Sequence, residues 1–260
     1  MKLISEQYFE HYRRGLGMDL KKEMEGIDAI ELNTRSFTFY TSVAVISSTR
    51  IEGEVMEVDS YVKHKILGTE YLPELVEKPN DLYQAYLFAR DHSLTEDHFL
   101  QSHALLSEHL LPRHWRGVYR KNEMLVLEHQ TGGIQYEAAG FRIVPNEMSK
   151  LWEDIDGLVK ADLSLEAVFY YASFIHLAFV AIHPFNDGNG RAGRLLEKWF
   201  LSEKLGERAW FIPSERYYYE HVDQYYRNLN RLGMFYDLID YERGDLFLLM
   251  LPRAIVRVER

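Results

Sequence analysis

Leu165 to Ile182 is apolar nearly all round, and a helix without a polar face has to be enclosed by other helices rather than laid on a surface. A chain carrying such a run folds around it, so the expected fold is mainly α, a bundle with this helix at its centre. Pro184 disfavours the α conformation at His183, which ends the helix there and leaves the imidazole at its mouth. Beyond it, Gly188 and Gly190 tolerate positive φ and the close approach of a ligand, with Asn189 between them as a side-chain amide donor. Helical spacing resumes at about Arg191, through Ala192, Leu195, Leu196, Trp199 and Phe200. Free N–H groups at that new N-terminus make an anion site.

Three kinds of chemistry converge on this loop. Arg191 and Arg194 are three apart, share a helix face near the anion site and can fork onto two phosphates. Asp187 is placed to hold Mg2+ against phosphate oxygens, because magnesium commonly takes one or two carboxylates plus substrate phosphates. His183, with an unperturbed pKa of about 6.5, is the group best suited to accept a proton near neutrality. Any one of these residues also fits a plain helix connection with an N-cap. Such a connection needs neither the two arginines beside the anion site nor the imidazole at the preceding helix end.

His183-Pro-Phe-Asn-Asp-Gly-Asn-Gly-Arg-Ala-Gly-Arg194 resembles the signature of Fic domains, His-Pro-Phe-x-[Asp/Glu]-Gly-Asn-Gly-Arg-x-x-Arg, and meets every specified position. The resemblance implies a Fic-type helical bundle with a β-hairpin flap, and a nucleotidyltransferase that moves AMP from ATP to a Ser, Thr or Tyr hydroxyl of a target protein, releasing pyrophosphate. It implies His183 as the base, Asp187 as the Mg2+ ligand, Gly188, Asn189 and Gly190 as the anion hole, and Arg191 and Arg194 as phosphate contacts. ATP and a target protein, the chain itself included, are the implied partners, and a homo-oligomer stays open.

The second informative stretch is Phe39 to Gly53, whose Tyr40, Val43, Ala44 and Ser47 follow helical spacing. Glu52 then falls in the last helical turn, where a carboxylate opposes the macrodipole by a few tenths of a kcal/mol. A solvated surface glutamate is one reading. The other comes from Ser48-Thr-Arg-Ile-Glu52-Gly53, which resembles the inhibitory motif [Ser/Thr]-x-x-x-Glu-[Gly/Asn] of one group of Fic proteins. That resemblance implies a pair between Glu52 and Arg194 that keeps Arg194 from the γ-phosphate of ATP, with Ser48 and Gly53 completing the motif.

At 260 residues the chain can bury a substantial core, and 47% apolar residues with 18 Tyr and 14 Phe suggest aromatic-rich helix packing. A formal charge of -10 argues against a general nucleic-acid binder, whose affinity rests on a Lys/Arg surface. The absence of cysteine excludes disulfides and thiolate metal sites. Met1-Lys-Leu-Ile-Ser-Glu becomes charged too soon for a secretory signal, and no run reads as long and apolar enough to span a membrane, so a cytoplasmic location and no membrane partner are expected.

The first thirty residues read as charged helix with a break at Gly15 and Gly17. Val55 to His92 reads as helix broken near Gly68, Pro73 and Pro79-Asn80, with Asn80 or Asp81 capping the last segment. Thr95 is expected to cap a helix through Leu111, on which His98, His103 and His109 lack the spacing of a zinc helix. Glu123 to His129, Gly132-Gly133 and Ile134 to Ala138 read as a β-hairpin, following Gly117-Val-Tyr-Arg120. In Fic proteins a flap in this interval clamps the target segment, which points to Ile134, Gln135 and Tyr136 for docking.

Met148 to Val159 is expected to be a helix, and His176, seven residues before His183 and on nearly the same face, a buried structural histidine. Ser214 is expected to cap Glu215 to Leu232. There Tyr225 and Tyr226 resemble the adenine pocket of Fic domains, while Gly233 departs from relatives with asparagine at that place. The remainder through Arg260 reads as a closing helix with no room for an accessory domain. The expected organisation is one continuous domain, with an N-terminal helical region over 1–94 and the catalytic core and C-terminal helices over 95–260. Three alternatives to AMP transfer stay open: removal of AMP from modified proteins through Glu52, a nucleotide-sensing interaction module, and transfer of a different phosphate-containing group, which the Gly233 departure allows.

Overall fold

The computed structural model describes residues 1–127 and 134–256. Helices α1 (Phe9–Gly15) and α2 (Leu20–Asp28) precede the long α3 (Thr34–Ile51), followed by α4 (Val58–Leu67), α5 (Pro73–Asp91) and α6 (Glu96–Leu106). Strands β1 (Leu125–Leu127) and β2 (Ile134–Glu137) come next, then α7 (Val144–Lys160), α8 (Leu165–Ile182) and α9 (Asn189–Leu205). The chain closes with α10 (Ser214–Glu220), α11 (Val222–Asn230) and two single turns, α12 (Asp245–Leu248) and α13 (Met250–Arg253).

Helix α8 is the centre the sequence called for. Ser164 caps it by accepting the Ala167 N–H at 3.3 Å, and α1, α7, α9 and α12 pack around it. By length and composition alone α8 does qualify as a membrane span, with 18 residues and a mean hydropathy of 1.7, which corrects the expectation that no run would. Its surroundings account for that composition, since 83% of it is buried inside the bundle. Helix α9 returns antiparallel beside it because Gly193 has no side chain: a Cβ there would meet Val180 Cγ1 at 2.9 Å and His176 Cδ2 at 3.0 Å.

Helix α3 starts at Thr34, capped by Asn33, whose Oδ1 accepts the Ser36 N–H at 2.8 Å, so it is longer than the expected 39–53. It packs on α4, α5 and α10 and brings its C-terminal end against α9.

Elsewhere local signals gave way to packing. Pro79 lies inside α5 rather than breaking it. The bond it cannot give to Leu75 is outweighed by the burial of Val76, Leu82, Tyr83 and Tyr86 along the same helix. Asn80 and Asp81 are therefore not caps; Asp81 instead accepts from the His109 backbone at 2.9 Å and ring at 2.8 Å. Thr95 does cap α6, but the helix ends at Leu106 rather than Leu111. Helix α7 begins at Val144, earlier than Met148. The Ser214 segment is split at His221, and the Ser214 hydroxyl bonds Glu215 instead of a backbone N–H. The expected closing helix is two single turns joined at Leu249, and its last four residues lie outside the described ones.

The flap is an antiparallel pair with Leu125 opposite Glu137, Val126 opposite Tyr136 and Leu127 opposite Ile134, irregular between Val126 and Leu127. Its first strand begins at Leu125 rather than Glu123 and its second ends at Glu137 rather than Ala138, while residues 128–133, the Gly132-Gly133 turn included, lie outside the described residues.

Gly193→Val is expected to lower stability by about 1–3 kcal/mol in urea denaturation, the usual cost of overpacking a tight helix contact. An unchanged midpoint would contradict the close α8–α9 approach.

Candidate active site

His183 caps α8 at φ 54 and ψ 58, the one non-glycine positive φ among the described residues. A left-handed residue with a Cβ costs about 1–3 kcal/mol and persists only where neighbours hold it. Arg120 does so. Its buried guanidinium donates to the carbonyls of His183 (2.8 Å), Ile182 (3.3 Å), Asn122 (2.8 Å) and Ala139, while its backbone N–H donates to Pro184 at 2.9 Å. A cation is thereby placed on the last carbonyls of α8, where the helix dipole is negative.

The loop after His183 is tied down from two sides. Asn189 Oδ1 accepts the Phe185 N–H at 2.8 Å and its Nδ2 donates to the Phe185 carbonyl at 2.9 Å. The expected side-chain donor of the anion hole is thus spent on the loop itself, leaving Asn189 its backbone N–H. His103 stacks on Phe185 with centroids 3.5 Å apart. Its Nδ1 accepts the Gly117 N–H at 2.9 Å, so Nε2 carries the proton and donates to the Asp187 carbonyl at 3.0 Å. Burial lowers its pKa to about 4, which keeps it neutral. His98 is half-buried with its Nδ1 2.8 Å from the Ser93 carbonyl, and His109 pairs with Asp81.

Helix α9 starts at Asn189, two residues before the expected Arg191, with Gly188 at φ 79 as its N-cap. The N–H groups of Asn189, Gly190 and Arg191 have no carbonyl to reach within the helix, an arrangement that can take an anion. Asp187 is exposed at its edge; Oδ1 accepts the Gly188 N–H at 2.6 Å, which leaves Oδ2 free. One free carboxylate oxygen beside an anion site suits Mg2+ held jointly with phosphates better than a full protein cage.

The two arginines meet two glutamates. Arg194, 1% exposed, donates from Nη2 to Glu52 Oε1 at 2.6 Å and to the Ser48 carbonyl at 3.0 Å. Its Nε donates to Ser48 Oγ at 2.8 Å and its Nη1 to the Tyr225 hydroxyl at 3.3 Å. Burial alone would raise the Glu52 carboxyl, but the charges of Arg194 and Arg191 and the Arg194 hydrogen bond more than offset this and hold it below its ordinary value. Glu52 lies directly over Gly190, where a Cβ would clash with Oε1. Arg191, 4% exposed, is turned toward Glu54, with Nη2 3.7 Å from Oε1, and its buried Nε has no partner. Lys78 holds the same Glu54 oxygen at 2.7 Å.

A cleft of about 150 Å³ opens between these groups and the flap, lined by His183, Glu52, Gly190, Arg194, Tyr225 and Tyr226 among others. Burial is the main cause that lowers His183 to a pKa of about 4, with the Arg120 charge adding and the Val180 carbonyl and Glu52 opposing. Tyr226 donates to the Ile51 carbonyl at 3.1 Å. Of the flap residues, Tyr136 lines the cleft and donates to the Ala181 carbonyl at 3.0 Å, Gln135 reaches Asn230 at 3.0 Å, and Ile134 is exposed. Asp187, Gly188, Asn189 and Arg191 lie outside the cleft lining. Sequence reasoning missed Glu54, which no spacing singles out, and the duty of Arg120, whose signal was a lone arginine in the Gly117-Val-Tyr-Arg120 stretch.

A helical bundle thus brings an imidazole, a glycine of a helix start and one buried arginine to one cleft beside the flap, with a second buried arginine just outside it. Residues 93–201 match the family model described as Fic/DOC family. The protein adenylyltransferase Fic of Nematostella vectensis is 27% identical over 231 residues, 86% of this chain and 44% of that protein. The chain thus spans less than half the length of that curated relative. Among solved structures, a Fic family protein from Desulfovibrio desulfuricans G20 superposes with a TM-score of 0.74 at 22% identity, over 91% of this chain and 71% of that one. Fic-1 from C. elegans gives 0.66 at 16% identity, over 95% and 71%.

The depressed carboxyl of Glu52 fixes a pH dependence. Ionised Glu52 contributes stability that is fully present above its ordinary value of 4.5 and is lost as pH falls through the lower folded value. The stability difference between wild type and Glu52→Gln is expected to be flat near neutrality and to move against the wild type in that acid window. A difference that stays constant throughout would contradict the charged contact.

Proposed function

We infer that this chain is a protein adenylyltransferase whose resting state is held off by Glu52. The observation that carries the reading is the 2.6 Å contact between Glu52 and Arg194 beside an otherwise assembled site. In this reading residues 1–94 carry the regulatory helix and residues 95–260 the catalytic part. The nucleotide base lies against Tyr225 and Tyr226, the phosphates on the N–H groups of Asn189 to Arg191, and the outer phosphates on Arg191 and Arg194.

His183 is neutral at rest, so it has a free lone pair, although a base with a pKa of about 4 is a weak one. Arrival of the triphosphate brings negative charge that raises it. The imidazole then takes the proton of the target hydroxyl as its oxygen attacks the α-phosphorus. The bond from that phosphorus to the bridging oxygen breaks, and pyrophosphate leaves with the electron pair. The α9 N–H groups face the charge that develops on the α-phosphoryl oxygens. Asp187 is the residue that would hold Mg2+ against the phosphates, where the ion supplies charge neutralisation. Extended target backbone along the flap, near Ile134 to Tyr136, presents the hydroxyl by strand pairing.

Glu52 blocks this sequence by occupying the Arg194 donors that the γ-phosphate needs. A second reading is favoured by the placement of Glu52 itself on the cleft wall: it would orient a water for removal of AMP from a modified protein.

With labelled ATP and Mg2+, Glu52→Gly is expected to raise AMP incorporation into itself or a lysate target at least about tenfold, the scale of one lost charged hydrogen bond, and His183→Ala to abolish it. Equal labelling by wild type and Glu52→Gly would overturn autoinhibition. Loss of AMP removal from a modified protein in Glu52→Gly would select the second reading.

A further inference from the structure

Behind the Glu52–Arg194 contact runs a line of buried polar groups that does not itself reach a phosphate. The Tyr225 hydroxyl, which accepts from Arg194 Nη1 at 3.3 Å, lies 3.0 Å from His176 Nε2. His176 Nδ1 lies 2.9 Å from Glu197 Oε2, and the Tyr218 hydroxyl bonds both Glu197 oxygens at 3.0 and 2.9 Å. His176, Glu197 and Tyr218 are fully buried and Tyr225 nearly so.

The direction of every bond on this line is forced. A guanidinium has donors and no acceptor, so the Tyr225 oxygen accepts from Arg194. The Tyr225 proton then goes to its other partner, His176 Nε2. That nitrogen is consequently bare, Nδ1 carries the ring proton, and it donates to Glu197, which also accepts from Tyr218. Reversing the histidine would set a bare Nδ1 against the Glu197 carboxylate and turn a donor toward a Tyr225 oxygen that already accepts from Arg194.

We propose that His176 and Glu197 are positioning residues for Arg194: by fixing Tyr225 as an acceptor, they hold the guanidinium in place when Glu52 withdraws. Among the described residues Tyr225 is the hydrogen-bond partner of Nη1, whereas Ser48 holds Nε and Nη2. Loss of Glu52 therefore frees Nη2 on one side without releasing the side chain on the other. The relay fixes the arginine and takes no part in proton transfer to the substrate.

This inference rests on the reading that Arg194 binds an outer phosphate of ATP, and AMP, which lacks those phosphates, separates the two. In the Glu52→Gly protein, ATP and AMP affinities are measured by calorimetry, alone and with His176→Gln, His176→Phe or Tyr225→Phe added. Glutamine can accept from Tyr225 through its oxygen and donate to Glu197 through its nitrogen, so His176→Gln is expected to keep the preference for ATP. His176→Phe removes both bonds, and Tyr225→Phe removes only the hydroxyl while keeping the ring against the nucleotide. Each is expected to lower the ratio of ATP to AMP affinity about tenfold, the scale of one hydrogen bond to a charged group. Should His176→Phe fail to fold, Tyr225→Phe carries the test. Retention of the ATP preference in the phenylalanine variants, or an equal loss for ATP and AMP, would overturn the positioning role while leaving the reading intact. A Glu52→Gly protein that binds ATP no better than AMP would overturn both.

Discussion

A guanidinium buried to 1% exposure has to be surrounded by acceptors, and the way Arg194 finds them governs the rest of the site. Helix α3 supplies the Ser48 carbonyl, the Ser48 hydroxyl and Glu52, and α11 supplies Tyr225. Two helices distant in sequence are thereby tied to the first turns of α9. The attraction between Glu52 and Arg194 is opposed by the desolvation of both charges. The pair therefore matters chiefly for where it puts the arginine.

The same economy of position appears on the other side of the cleft. His183 sits in a left-handed conformation that an L-residue does not choose, and Arg120 gathers the carbonyls around it. His103 and Asn189 fix the loop that follows, each through bonds whose direction is set by the partner. The His183 imidazole and the start of α9 are thus both held in place by buried groups behind them. Glu54 repeats the theme at Arg191, whose unpartnered Nε leaves a donor for a ligand.

Much of this was legible where a residue's environment is implied by its neighbours in sequence. The apolar run of α8 can only be enclosed, Thr95 and Ser164 cap by local geometry, and the 183–194 loop concentrates its chemistry in twelve residues. Resemblance added the Glu52–Arg194 pair, which no local rule could connect across more than a hundred residues. What stayed hidden depended on tertiary packing. Pro79 is accommodated inside α5 because buried side chains on both sides outweigh one missing hydrogen bond. The Asn189 amide was read as a ligand donor because sequence does not show that Phe185 folds back onto it. Arg120 and Glu54 carry no spacing signal, and the split at His221 follows from how α10 and α11 pack on different neighbours.

The central claim is that Glu52 occupies, on Arg194, the place of an outer phosphate. Calorimetry of the wild-type protein with ATP and with AMP tests it most directly, because only ATP has to displace the carboxylate. The account predicts that the wild type binds ATP no more tightly than AMP despite the extra phosphates. A wild type that prefers ATP by about tenfold or more, a difference of about 1.4 kcal/mol, would contradict it.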